Sequence, residues 1–264
     1  MKVALLQLCA SQDKDANLAR AIAMSREAID KKAQWILLPE VFNFRGDGRN
    51  KELFSKSAEK IPGPSVDIFI PLAKKHRVSF LLGSIIEKAP GPRSYNTSVF
   101  IDPQGLVAAK YRKINLFDAC IGDMIVKEAD SFRAGVHSTT VRIGEFRAGL
   151  SICYDLRFPE LYLNYARKGV EVLTVPSCFA RKTGEAHWEP LLRARAIENL
   201  SYVLAPNQVG MDARGMKAHG NSMIISPWGE VIAKGSPSGQ EIIFGDIDIQ
   251  EVHKARKALP GIIK

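Results

Sequence analysis

An α/β fold is predicted by three features of the sequence. Short apolar runs of strand character recur along the chain, helix-periodic stretches separate them, and Gly, Pro and Asp punctuate the joins. No internal repeat, low-complexity linker or shift in composition divides the 264 residues, so a single domain over 1–264 is the economical reading. A chain of this length buries a core without covalent staples.

Residues 3–8 form a short strand; Leu18, Ile22, Ser25 and Ile29 then fall on one helical face, with Asp15 or Asn17 as the N-cap. The run Trp35-Ile-Leu-Leu-Pro-Glu40 is an apolar strand that ends in a carboxylate. Strand, helix and buried strand make the βαβ unit of a sheet covered by helices. After a Pro-Gly-Pro break, residues 65–76 read as a second helix that feeds a strand at 78–86. Residues 95–111 are a hairpin turning at Asp-Pro-Gln-Gly, with Lys113 just past its second strand. Two further strands lie at 139–143 and 147–152, a helix at 157–168 and a buried strand at 171–175. A helix at 187–200, a strand at 202–207 and a hairpin of 221–225 with 230–233 across Pro227-Trp-Gly229 complete the pattern.

Composition narrows the function. The four cysteines, Cys9, Cys120, Cys153 and Cys178, show no C-x-x-C pair and no histidines at ligand spacing, which argues against a zinc site or redox motif and suits a reducing cytoplasm. The start MKVALLQLCAS is interrupted by Gln7 and runs into a helical pattern, so it reads as a first strand rather than a leader. No apolar run approaches the ~18 residues of a membrane span. The net charge of +9 comes from 37 Lys and Arg spread along the whole chain, without a basic block or interleaved aromatics. That pattern favours an anionic small substrate over nucleic acid.

Three predicted strand ends carry reactive groups: Glu40 after WILLP, Lys113 after the hairpin and Cys153 after LSI. Singly, each has a bland explanation, as a cap, a solvated charge and a core thiol. Together they are a carboxylate, an ammonium and a thiol at the edge where open α/β sheets collect their chemistry. Such a set suits acyl transfer through a thioester: the carboxylate accepts the thiol proton and the ammonium stabilises an oxyanion. None of the five histidines forms an evident Cys-His signature, and no G-x-S-x-G elbow is present. Asp155 reads as a helix-dipole partner, Arg157 as a tie between loops, and Arg193, Arg195 and Glu198 as a structural ion-pair network.

The segments LLPEVF around Glu40, YRKINLFD around Lys113 and ICYDLRFPE around Cys153 together resemble the nitrilase superfamily of carbon-nitrogen hydrolases, over essentially the whole chain. The resemblance implies a four-layer αββα sandwich, a Glu40-Lys113-Cys153 triad, a homodimer or higher homo-oligomer, and no metal or organic cofactor. KEADSFRAG resembles the segment that supplies a second, supporting glutamate, here Glu128, and the backbone N–H of Tyr154 is the implied oxyanion donor. PSCFARKTGEAHWEPLLRARAIEN and SMIISPWGEVIA look like the small Nit-type amidases. By the same resemblance the expected activity is that of a cytoplasmic thiol amidase. It converts a small, anionic ω-amide, of deaminated-glutathione or α-keto acid monoamide type, to a carboxylate and ammonia. Hydrolysis of N-carbamoyl amides or of nitriles by the same triad is the alternative, as is a noncatalytic binding protein on this fold. The sequence departs from the family pattern at Cys178, where a small residue is usual, at Asn221, where His is usual, and in ending at LPGIIK without a basic tail. Specificity is expected from the loops at 42–48 and 117–124.

Overall fold

The computed structural model describes residues 1–46, 50–121, 124–213 and 215–261. In chain order the elements are β1 (Lys2–Gln7), α1 (Lys14–Asp30), β2 (Trp35–Leu37), α2 (Lys51–Ser57), α3 (Pro64–Asp67), α4 (Ile70–His76), β3 (Ser79–Glu87), β4 (Tyr95–Ile101) and β5 (Val107–Arg112). Next come β6 (Asp118–Ile121), β7 (Met124–Lys127), β8 (Thr139–Ile143), β9 (Phe146–Leu150), α5 (Pro159–Arg167), β10 (Val172–Thr174) and α6 (Arg181–Asn199). The chain closes with β11 (Tyr202–Ala205), β12 (Met223–Ile225), β13 (Val231–Lys234), β14 (Glu241–Asp246) and α7 (Ile249–Ala258).

Among the described residues the strands form two six-stranded sheets, ordered β14-β1-β2-β3-β4-β5 and β13-β12-β11-β10-β9-β8, and a β6-β7 hairpin. Parallel triplets lie at the centres, β1-β2-β3 and β9-β10-β11, with antiparallel strands outside them. Side-chain alternation sorts the layers. Val3 and Leu5 join Trp35, Leu37, Leu81 and Phe100 in one core with Ala148, Leu150 and Leu204 of the other sheet. Ala4 and Leu6 point the opposite way, into a second core with Ala21, Ala28, Phe69 and Ala73 of α1, α4 and the segment between α3 and α4. On the far side α5 and α6 cover the second sheet through Tyr162, Tyr165, Trp188 and Leu192. The result is the expected αββα sandwich. Because both faces of each sheet are covered, the inner strands read as unbroken apolar runs.

Several boundaries shift, each for a local reason. The N-cap of α1 is Asp13, whose Oδ1 accepts from Ala16 N at 3.0 Å, not Asp15 or Asn17. Asn17 is instead buried, donating to the carbonyls of Ser11 and Asn43. The helix expected at 65–76 is two short ones, since Pro71 lacks the N–H that continuity requires. Likewise Pro159 separates a 3₁₀ turn at Cys153–Arg157 from α5. Helix α6 begins at Arg181, earlier than the expected 187, and runs through both Gly184 and Pro190. The ion-pair network is smaller than expected: Arg195 meets Glu198 at 2.7 Å, while Arg193 turns to the Gly229 carbonyl and to Glu189.

Candidate active site

Glu40 and Cys153 sit where the backbone turns sharply after a strand, and Lys113 lies just past the end of β5. Leu38 N still bonds Leu81 O at 2.9 Å, but Pro39 has no N–H and the ladder stops there. Val41 then adopts φ +49°, held by a 2.9 Å bond from its N–H to Ser84 Oγ, and this reversal leaves Glu40 between the sheets. Gly83 lies beneath: a Cβ there would collide with the carbonyls of Leu38 and Pro39. Lys113 follows β5, its N–H on Asn96 O and its carbonyl accepting from Gly135 N, both at 2.8 Å. Cys153 follows β9 with φ +48° and donates its N–H to Pro176 O at 3.0 Å. Left-handed backbone at a non-glycine residue costs on the order of 1–3 kcal/mol, so the surrounding structure must impose it. Asp155 does much of this beside Cys153: it accepts from Ile152 N, Asn115 N, Asn115 Nδ2 and Tyr111 Oη at 2.7–2.9 Å.

The three groups and Glu128 line one cavity of about 680 Å³. Lys113 is 1% exposed, and its Nζ lies 2.9 Å from Glu40 Oε1 and from Glu128 Oε2. Glu40 is held at both oxygens: Oε1 also accepts from Asn96 Nδ2 at 2.9 Å and Oε2 from Cys178 N at 2.8 Å. Glu128 Oε2 accepts from Phe117 N at 2.7 Å. Burial works against the Lys113 ammonium, but the Glu128 and Glu40 carboxylates and the Cys153 sulfur outweigh it and hold its pKa well above the usual range. Burial pushes the Cys153 thiol well up. Glu40 adds to the rise by its charge and a hydrogen bond, and Lys113 and the Cys178 amide pull back only in part. Burial also raises Glu128, with Lys113 opposing and Glu40 reinforcing. The cavity therefore holds a protonated thiol beside a carboxylate, and an ammonium clamped between two carboxylates. A proton acceptor, a nucleophile and a fixed positive charge are the requirements of acyl transfer. Among the described residues no group of three His, Cys, Asp or Glu side chains is placed to hold a metal ion.

The carbon-nitrogen hydrolase family model matches residues 2–257. The chain belongs to this family. It is 37% identical to a deaminated glutathione amidase of Dictyostelium discoideum, over 98% of this chain and 91% of that protein. It is 38% identical to human omega-amidase NIT2, over 98% and 92%. Its fold matches the NitFhit protein of C. elegans with a TM-score of 0.90 at 36% identity, covering 98% of this chain and 63% of that longer one. Nit3 of Saccharomyces cerevisiae, a member of branch 10 of the nitrilase superfamily, superposes with a TM-score of 0.88 at 33% identity, over 99% and 94%.

In this carbon-nitrogen hydrolase the sequence-predicted Glu40, Lys113, Glu128 and Cys153 all reach the one cavity, and Tyr154 lies in the first turn after Cys153 with its ring against Phe117 and Phe158. Asp155 stands, as expected, in the first turn of a helix, the 3₁₀ turn at Cys153–Arg157; being fully buried and accepting from Ile152 N, it also braces the Cys153 turn. Arg157 ties loops as expected, stacking over Phe179 and meeting His187 Nδ1 at 3.2 Å. Sequence reasoning missed Asn96 and Arg45, both buried and both lining the cavity. A polar Asn inside the apolar hairpin YNTSVF was the available signal for the first. Asn221 has φ +52° and accepts from Trp188 Nε1 through its carbonyl; Asn is among the non-glycine residues most often found on that backbone. Of the two loops expected to set specificity, residues 47, 48, 122 and 123 lie outside the described residues, as do 262–264 of the C-terminal stretch.

Proposed function

We propose that the protein is a thiol amidase that hydrolyses a small ω-amide to a carboxylate and ammonia. The observation that carries the reading is the Lys113 ammonium held between Glu40 and Glu128 beside the Cys153 thiol in one cavity. Glu40 takes the thiol proton as Cys153 Sγ bonds to the amide carbon. An ammonium has three N–H donors, of which two face the carboxylates, so the third is left for the oxyanion, shared with the Tyr154 N–H. The tetrahedral intermediate expels ammonia with a proton from Glu40, leaving a thioester. Glu40 then deprotonates a water that cleaves the thioester and restores the thiol. Glu128 acts through Lys113, fixing its position.

The names carried by the relatives support ω-amides and deaminated glutathione as the substrate type. Ammonia release across ω-amides, N-carbamoyl amino acids and nitriles tests this. The ω-amides should lead by at least about tenfold in kcat/KM, a gap of ~1.4 kcal/mol; a lead by nitriles or carbamoyl compounds would overturn the substrate class. The same reading places the enzyme in the cytoplasm, which the scatter of its cysteines along the chain without a C-x-x-C pair supports, and makes it a homodimer or higher homo-oligomer. The exposed Ile197 on α6 and Trp228 in the adjoining β12-β13 turn support a self-association surface. A monomer mass by light scattering would remove it.

A further inference from the structure

Arg45 is a buried cation that the chemistry above does not use. It is 4% exposed, lies five positions beyond Glu40 and lines the same cavity as Cys153 and Lys113. Its Nη1 donates to the carbonyls of Val209 and Gly210 at 2.9 and 3.4 Å, and Nη2 donates to that of Met216 at 3.0 Å. A guanidinium has five N–H donors. Two therefore remain, on the adjacent Nε and Nη2, and Nε is buried without a hydrogen-bond partner. Among the described residues no carboxylate pairs with Arg45, and its hydrogen bonds are all to neutral backbone oxygens.

A buried positive charge facing only carbonyls is costly, and an anion arriving with the substrate relieves that cost. Two N–H donors on neighbouring nitrogens of a planar group match the two oxygens of a carboxylate. Of the other cations on the cavity wall, Lys113 is already paired with Glu40 and Glu128, while Lys51 and Lys127 are exposed, and a solvated ammonium gains little from an anion. Phe44, Phe117 and Phe132 supply apolar wall for a short methylene linker.

We propose that Arg45 is a specificity-determining residue that receives a carboxylate at the end of the substrate remote from the scissile amide. This rests on the amidase reading of the site. Because Arg45 also holds three backbone carbonyls, its test must separate recognition from folding.

The experiment compares kcat and KM for glutaramic acid and its methyl ester, which differ only in the remote carboxylate, in wild type, Arg45→Gln and Arg45→Lys. The expected wild-type preference for the acid is on the order of 10²-fold in kcat/KM, expressed in KM, as for other desolvated charge pairs. It should collapse toward unity in Arg45→Gln and recover in part in Arg45→Lys, which keeps the charge without the paired donors. An unchanged acid-to-ester ratio in Arg45→Gln overturns the proposal. So does a wild-type enzyme that treats acid and ester alike, a result that needs no variant to fold. Glutarate binding, read as a rise in wild-type Tm that is lost in Arg45→Gln, reports the carboxylate subsite alone. If neither substrate releases ammonia while glutarate still binds through Arg45, the amidase reading falls and the subsite stands.

Discussion

At Lys113 three acidic groups and near-complete burial meet, and the balance among them sets the behaviour of the whole cavity. The desolvation that should neutralise the lysine is overcome by Glu128, Glu40 and Cys153, so the ammonium persists where it is 1% exposed. Removing it leaves two carboxylates facing each other in the protein interior. Lys113→Met should therefore lower kcat by about 10²–10³ through loss of an oxyanion donor. It should also destabilise the fold by about 3–5 kcal/mol, because its partners are left buried and unpaired. Turnover and urea unfolding of the one variant measure both; unchanged turnover would remove Lys113 from the oxyanion, and unchanged stability would contradict the cost of leaving its partners unpaired. Glu40 and Cys153 were legible in the sequence because each breaks an apolar run at its strand end, and Lys113 because it follows the second strand of a recognisable hairpin. Arg45, Asn96 and Asp155 were not, because what they do depends on partners far away in the chain: Arg45 on Met216, Asn96 on Glu40, Asp155 on Tyr111.

At the scale of elements, strained turns after β2 and β9 aim the chemistry, and small residues beneath them permit the turns. Gly83 in β3 is the clearest case, since the Leu38 and Pro39 carbonyls occupy the space of its missing Cβ. Gly83→Ala should cost about 1–3 kcal/mol by overpacking against backbone that cannot rotate away. It should also reduce kcat, because the segment it displaces carries Glu40. A thermal melt paired with a turnover assay checks this, and a stable, fully active variant would contradict the geometry. Elements bounded by local signals, such as the β4-β5 hairpin with its Asp102 turn, emerged near their predicted positions. Strand β14 had no such signal: its pairing partner is β1, with Lys2 opposite Asp246, and a register between chain ends leaves no local periodicity to read. Helix α7, which packs its Val252 into a core assembled from both sheets, and the short, local β6-β7 pair were also missed.

At the scale of the molecule, two sheets pressed face to face bury titratable groups that the folded state keeps protonated. Cys153, Tyr111, Tyr162, Tyr165 and Lys113 all lie above their ordinary values of 9.0, 10.0 and 10.5, the first four by burial, and Lys113 by carboxylates that outweigh burial. An unfolded chain releases these protons at the ordinary values while the native chain still binds them, so stability falls as pH rises. The contribution is intact below about pH 9 and is lost progressively above it. Tm should hold to about pH 9 and drop between pH 9 and 11; a Tm that rises over that interval would contradict the assignment. The sequence foretold covered sheets but not which strands share one, since β2 and β10 are apolar runs of the same kind in different sheets. The pairing that joins Glu40 and Lys113 of one sheet to Cys153 of the other exists only in the assembled sandwich. Whether this assembly makes a thioester at Cys153 is tested most directly by intact-protein mass spectrometry of enzyme acid-quenched during turnover of glutaramic acid. The expected result is an added mass equal to the substrate less ammonia, mapped to Cys153 and absent, together with all turnover, from a folded Cys153→Ala protein. An adduct on another residue, or full turnover by Cys153→Ala, would contradict it.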